Sequence, residues 1–136
     1  SRQELEEELK SRKNKLDTMC AFETLAAIEA RFRIDYLLRC QERKKDPVSR
    51  KYRNIYKTKK NKAHLVDDIL SIRKAEEPHN KALLDDLGKA LDFRNWVAHG
   101  RYWHPKKHPH ISNYDYFTIY QLADEVFSKI TLHDSK

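Results

Sequence analysis

Apolar side chains recur along this chain every three or four residues, the spacing of a single helical face, and strict alternation is almost absent. The first such segment runs from about Arg2 to Arg43. Its opening third is charged and carries Leu5, Leu9 and Leu16 at heptad-like spacing. It then becomes strongly amphipathic through Phe22, Leu25, Ile28, Phe32 and Tyr36. Asp17 and Thr18 are both suited to cap a new helix, so a break near residues 14–17 is expected. Asp46-Pro47 reads as a cap followed by a first-turn proline. It opens a segment that carries Tyr52, Ile55 and Tyr56 and resumes from His64 to Lys74 with Leu65, Val66, Ile69, Leu70 and Ile72. The stretch 59–62 interrupts it, giving two short helices or one broken one.

The clearest core helix runs from Asn80 to about Trp103, with Leu84, Leu87, Leu91 and Ala98 on one row and Leu83, Ala90 and Val97 beside it. A polar stretch from His104 to Asn113 then loops out. In the last segment Thr118 and Gln121 have capping-box spacing, with Phe117 and Leu122 placed as its hydrophobic staple. Ile119, Ala123, Val126, Phe127 and Ile130 follow as one apolar face. Residues 116–120 form the only strand-like run, and the capping pattern competes with it. These segments predict an all-α fold, an up-and-down bundle of four to five helices. They form one domain over residues 1–136, with residues 1–16 as a charged helical extension.

Composition narrows the class without changing it. Leucine, isoleucine, valine and phenylalanine make 31 of the 136 residues, above the level of about 20% below which disorder is expected. Two glycines and four prolines argue against a sandwich, a barrel or a doubly wound sheet. No apolar run reaches the roughly 18–20 residues of a membrane span, and no secretory leader pattern opens the chain. Cys20 and Cys40 have neither metal-binding nor redox spacing. A reduced, cytoplasmic protein that does not enter a membrane is the expectation.

The formal net charge is +7, and its distribution is uneven. Residues 39–62 hold eleven Lys and Arg against Glu42 and Asp46, which leaves the rest slightly acidic. Such a block suits a polyanion, most simply a phosphodiester backbone, with Lys57, Lys59 and Lys60 as phosphate contacts. Tyr52 and Tyr56, four apart on one helical face, are placed to stack on bases. A merely solvated charged face accounts for the block equally well.

Two positions late in the core helix are odd for packing alone. Arg94 falls on or beside the row of Leu84, Leu87 and Leu91, where a guanidinium is costly unless paired or facing a wet cleft. His99 precedes Gly100 near the helix end, where the dipole favours the charged imidazole. Structural roles are open to both: Arg94 pairing with an acid such as Glu29, and His99 capping the helix. Residues five apart are about 140° apart around a helix, so joint use needs a cleft at the helix edge or a second chain. Glu29 and Arg33 are i,i+4 partners. Glu29 lies near the apolar row, so it either reaches across to hold Arg94 or forms an ordinary surface pair. His104, His108 and His110 have metal-ligand chemistry, but Lys106 and Lys107 among them favour a cationic loop over a cleft, and no metal is assigned. No other catalytic motif is present.

The run Arg94-Asn95-Trp96-Val97-Ala98-His99, late in a small basic helical chain, resembles the R-x-x-x-x-H signature of the HEPN superfamily (higher eukaryotes and prokaryotes nucleotide-binding). Asn95 matches the polar residue common after the arginine, and the likeness extends to the helical plan of the whole chain. The resemblance implies a metal-independent endoribonuclease that needs no cofactor and is often a toxin or antiphage effector. Such an enzyme works as a homodimer whose two signature helices meet in one composite cleft. RNA is then the substrate, and an antitoxin or regulatory protein is a second kind of partner. By this resemblance His99 transfers protons, Arg94 clamps the transition state and Asn95 orients by hydrogen bonding. Arg101, Tyr102, Lys106 and Lys107 contact RNA, while Glu29 and Arg33 support Arg94. In some members a tyrosine two places after the histidine is modified with AMP by a nucleotidyltransferase antitoxin. Tyr102 stands three places after His99, a departure at that position. The rival expectations are an inactive HEPN-like module that binds RNA or a protein, and a basic helical DNA-binding domain. The last lacks a helix-turn-helix glycine turn.

Overall fold

The computed structural model describes residues 1–98 and 116–134, and every regular element among them is helical. α1 (Arg2–Gln41) is one uninterrupted helix of 40 residues, so the expected break near residues 14–17 does not occur. Neither glycine nor proline falls in the span, and Thr18 donates its hydroxyl to the Asn14 carbonyl at 3.0 Å from within the helix instead of capping a new one. α2 (Pro47–Lys59) begins as its sequence indicates, with the Asp46 carboxylate accepting from the Ser49 N–H at 3.1 Å and Pro47 in the first turn.

A 3₁₀ turn (Lys60–Lys62) ends this helix. The chain re-enters helix as a π-type turn (Leu65–Leu70), in which the His64 carbonyl accepts from both Asp68 and Ile69 at 3.1 Å, and continues as α3 (Ser71–Glu76). Another 3₁₀ turn at Pro78–Asn80 leads into α4 (Lys81–Ala98). α5 (Tyr116–Lys129) is already helical two residues before Thr118. The expected capping box at Thr118 is therefore inside the helix, and its staple residue Phe117 is exposed. Tyr116 stacks on Tyr120 one turn later, at 6.1 Å and 13°, which favours helix over strand across 116–120.

Each of α2, α3, α4 and α5 packs on its predecessor, and α5 returns against α1, closing an all-α bundle. The core is built from Leu25, Ile28 and Phe32 of α1, Tyr52 of α2, Ile69, Leu84, Leu87 and Leu91, and Ile119 and Val126 of α5. Phe22, expected on the buried face of α1, is only half-buried; Ala21 takes that place. Tyr52 is fully buried, edge-on to Tyr36 at 5.2 Å, and is not available to stack on bases. Tyr36 donates to the Lys60 carbonyl at 2.7 Å, and burial pushes its phenol up to about 12.

An ionic hub also sits in this core. Asp35 is wholly buried and accepts from Arg39 at 2.8 Å, Arg73 at 3.1 Å and the His133 N–H at 2.8 Å. Arg39 continues to Asp46 at 2.7 Å, and Arg73 donates to the Thr131 carbonyl at 2.7 Å. The hub thereby ties α1 to the start of α2, to α3 and to the chain after α5. Removing one member of such a network strands the others' charges in the interior.

Candidate functional site

A cleft of about 560 Å³ opens where the last described turns of α4 pass the middle of α1 and the turn that follows residue 63. α4 contributes Leu91, Asp92, Arg94 and Asn95; α1 contributes Glu29 and Arg33; His64, Leu65, Val66 and Asp67 form the third wall. Arg94 holds this place because it continues the row of Leu87 and Leu91, which buries α4 against the body.

The position predicted to need a counter-charge has one. Arg94 donates from Nη1 to Glu29 at 2.6 Å, and the two side chains are 24% and 23% exposed. Glu29 also accepts from Arg33 Nε at 3.1 Å, so it makes both the local i,i+4 pair and the reach across to α4. Arg33 is anchored in turn by donating to the Ala63 carbonyl at 2.9 Å. Burial alone would raise the Glu29 carboxyl. The hydrogen bonds and charges of Arg94 and Arg33 outweigh it and hold the group below the usual glutamate range. Glu29 is thus an anion with two fixed guanidinium partners, and it sets where the head of Arg94 lies.

His64 and Asp67 also line the cleft, and neither carries a local sequence signal of its own. The His64 N–H donates to Asp68 at 2.8 Å, and Asp68 also takes Lys59 at 2.9 and 3.0 Å. Burial would raise the Asp68 carboxyl, but Lys59 and the His64 N–H hold it below its ordinary range. Asp68 therefore links the basic stretch directly to the cleft rim. Within the lining, the carboxylates of Glu29, Asp67 and Asp92 stand against the guanidiniums of Arg33 and Arg94. Lys59, Lys60 and Lys62 are exposed and immediately precede the His64 wall in the chain.

That basic block is partly internal. Arg39 belongs to the buried hub, and Lys44, Lys51 and Lys59 pair with Glu42, Glu76 and Asp68. Lys57, Lys59 and Lys60 are all exposed, near the point where the chain enters the cleft wall. His99, Arg101, Tyr102, Lys106 and Lys107 lie outside the described residues, as do His104, His108 and His110. The structure thus brings Arg94, Asn95, Glu29 and Arg33 to one cleft.

A second, more apolar groove of about 430 Å³ runs between α1 and α5, lined by Cys20, Thr24, Tyr116, Tyr120 and Phe127 among others. Among the described residues no helix is long and apolar enough to cross a membrane. No family model, curated protein or solved structure matches this chain.

Proposed function

We propose that the chain is a metal-independent endoribonuclease of the HEPN type, acting in the cytoplasm as a homodimer in toxin or antiphage defence. The observation that carries this reading is the placement of Arg94. Its guanidinium is fixed by Glu29 at 2.6 Å on the wall of a cleft shared with Asn95, five residues before His99.

Cleavage of RNA without metal needs three things: a base for the 2′-hydroxyl proton, an acid for the leaving 5′-oxygen, and positive charge at phosphorus. The 2′-oxygen bonds to phosphorus as its proton passes to one His99. The bond to the 5′-oxygen breaks as that oxygen takes a proton from the His99 of the second copy. The products are a 2′,3′-cyclic phosphate and a 5′-hydroxyl. Arg94 meets the charge that accumulates on the phosphoryl oxygens, and Asn95 orients the phosphate. Glu29 spares Arg94 the reorganisation a free side chain would undergo. Lys57 and Lys60 draw the backbone toward the rim, with Arg101, Tyr102, Lys106 and Lys107 as further RNA contacts.

The carboxylates of the lining oppose a phosphodiester inside the cleft and so favour a second reading, an inactive module that binds RNA or a protein on another part of its surface. One assay separates the two. Structured RNA incubated with the protein in EDTA should yield fragments with cyclic phosphate ends. Arg94→Ala and His99→Ala should each abolish cutting while the helical circular dichroism is kept. Undiminished scission by either variant overturns the assignment, and salt-sensitive binding without scission selects the module.

A further inference from the structure

The first sixteen residues are all exposed, and α1 enters the core only at Ala21. This arm nonetheless carries large apolar side chains, with Leu5 and Leu9 each 57% exposed, Leu16 63% and Met19 60%. At about 100° per residue, those four lie on one stripe. The stripe is on the side of α1 opposite the face that Leu25, Ile28 and Phe32 bury, so it is not an overhang of the core face. Together with Arg12 it occupies successive a and d positions of a heptad: Leu5 d, Leu9 a, Arg12 d, Leu16 a, Met19 d. The exposed pairs Arg2–Glu6 at 3.2 Å and Arg12–Glu8 at 2.7 Å add little to a helix of this length standing alone.

We infer that the arm docks on the arm of a second copy of this chain, as an antiparallel two-stranded coiled coil in which Leu5 of each copy packs on Leu16 of the other. The charges flanking the stripe select both direction and register. Glu6 and Glu8 flank its first half, and Lys13 and Lys15 flank its second. In this register Glu6 faces Lys13 and Glu8 faces Lys15 of the second copy, giving four opposite-charge pairs by two-fold symmetry. A slip of one heptad in either direction sets Glu6 on Glu6 and Glu8 on Glu8, or Lys13 on Lys13 and Lys15 on Lys15. A parallel pair stacks Arg12 on Arg12 within the seam and gathers the acidic ends together. The antiparallel pair instead sets Arg12 against Leu9, where its aliphatic stem covers the leucine and its head keeps its bond to Glu8. Residues 2–19 overlap over about 27 Å. Among the described residues, the face that Leu25, Ile28 and Phe32 bury lies on the other side of α1 from this stripe. The interface is separate from the cleft and holds whether or not the cleft cuts RNA.

Sedimentation equilibrium of the full chain at micromolar concentration tests this. The wild type should associate, and Glu6→Lys/Glu8→Lys should halve the associated mass, as should Lys13→Glu/Lys15→Glu. Each should raise the dissociation constant by roughly fiftyfold. Charge reversal also weakens pairs within the helix, so an equimolar mixture of the two double variants is decisive. It contains the same helices, and only pairing between chains is restored. Recovery of the wild-type mass in the mixture supports the arm pair. A monomeric wild type, double variants that sediment like the wild type, or a mixture that stays dissociated would each overturn it. Rapid disulfide linkage of an Arg12→Cys variant to itself would overturn the antiparallel direction.

Discussion

Glu29 shows how one side chain couples the site to stability. Its carboxyl lies below the usual glutamate range in the folded protein, so the unfolded chain binds its proton more readily. The stabilisation it contributes is therefore fully present above the ordinary glutamate pKa and is lost as pH falls through the depressed folded value. Urea unfolding of the wild type and of Glu29→Gln should differ most above the ordinary glutamate pKa of about 4.3, and the difference should shrink as pH falls below it. A gap that stays constant as pH falls would mean that the carboxylate's charge contributes nothing. The i,i+4 spacing of Glu29 and Arg33 is legible in the sequence. That Arg94, 65 residues away, completes the trio was one of two readings the sequence left open, because the place of Arg94 beside an apolar row calls for a counter-charge but does not say which acid supplies it.

At the scale of elements, the helices were legible wherever local chemistry decides. Asp46 and Pro47 mark the start of α2 because a cap and a fixed φ act within one turn. The expected break in α1 and the capping box at Thr118 failed for a shared reason. Residues able to cap a helix are also tolerated inside one, where Thr18 bonds back to the preceding turn. Gly88 lies within α4, and a Cβ there would meet only Val66 Cγ1, at 4.0 Å, an ordinary contact. Gly88→Ala should therefore stabilise the protein by about 0.5–1 kcal/mol, read as a higher urea midpoint with an unchanged slope. A loss of stability would mean that α4 sits closer to the 65–70 turn than this spacing indicates.

For the molecule as a whole, the uneven charge is the property that reaches furthest. The residues that count toward it are fewer than the sequence total, since Arg39, Lys44, Lys51 and Lys59 have acidic partners. If single-stranded RNA occupies the cleft, Lys57→Ala/Lys60→Ala should flatten log K against log salt by about 0.7 for each phosphate that is no longer neutralised. Lys59→Ala should act mainly by freeing Asp68 and loosening the turn at His64. A slope unchanged in the double variant would remove these lysines from the binding surface.

The sequence by itself determined the helical class, the break near Pro47, the interruption around residues 59–62, and the apolar face of most helices. Periodicity, proline geometry and capping all act within a turn or two, so they can be read from neighbours. Only the tertiary structure decided what lies opposite each face. It buried Tyr52 in the core, joined Asp35 to Arg73 across 38 residues, and set Arg94 against Glu29 at a wet edge. Which polar group meets which depends on how helices cross, and the spacing of residues along one helix carries no record of the helix it will pack against.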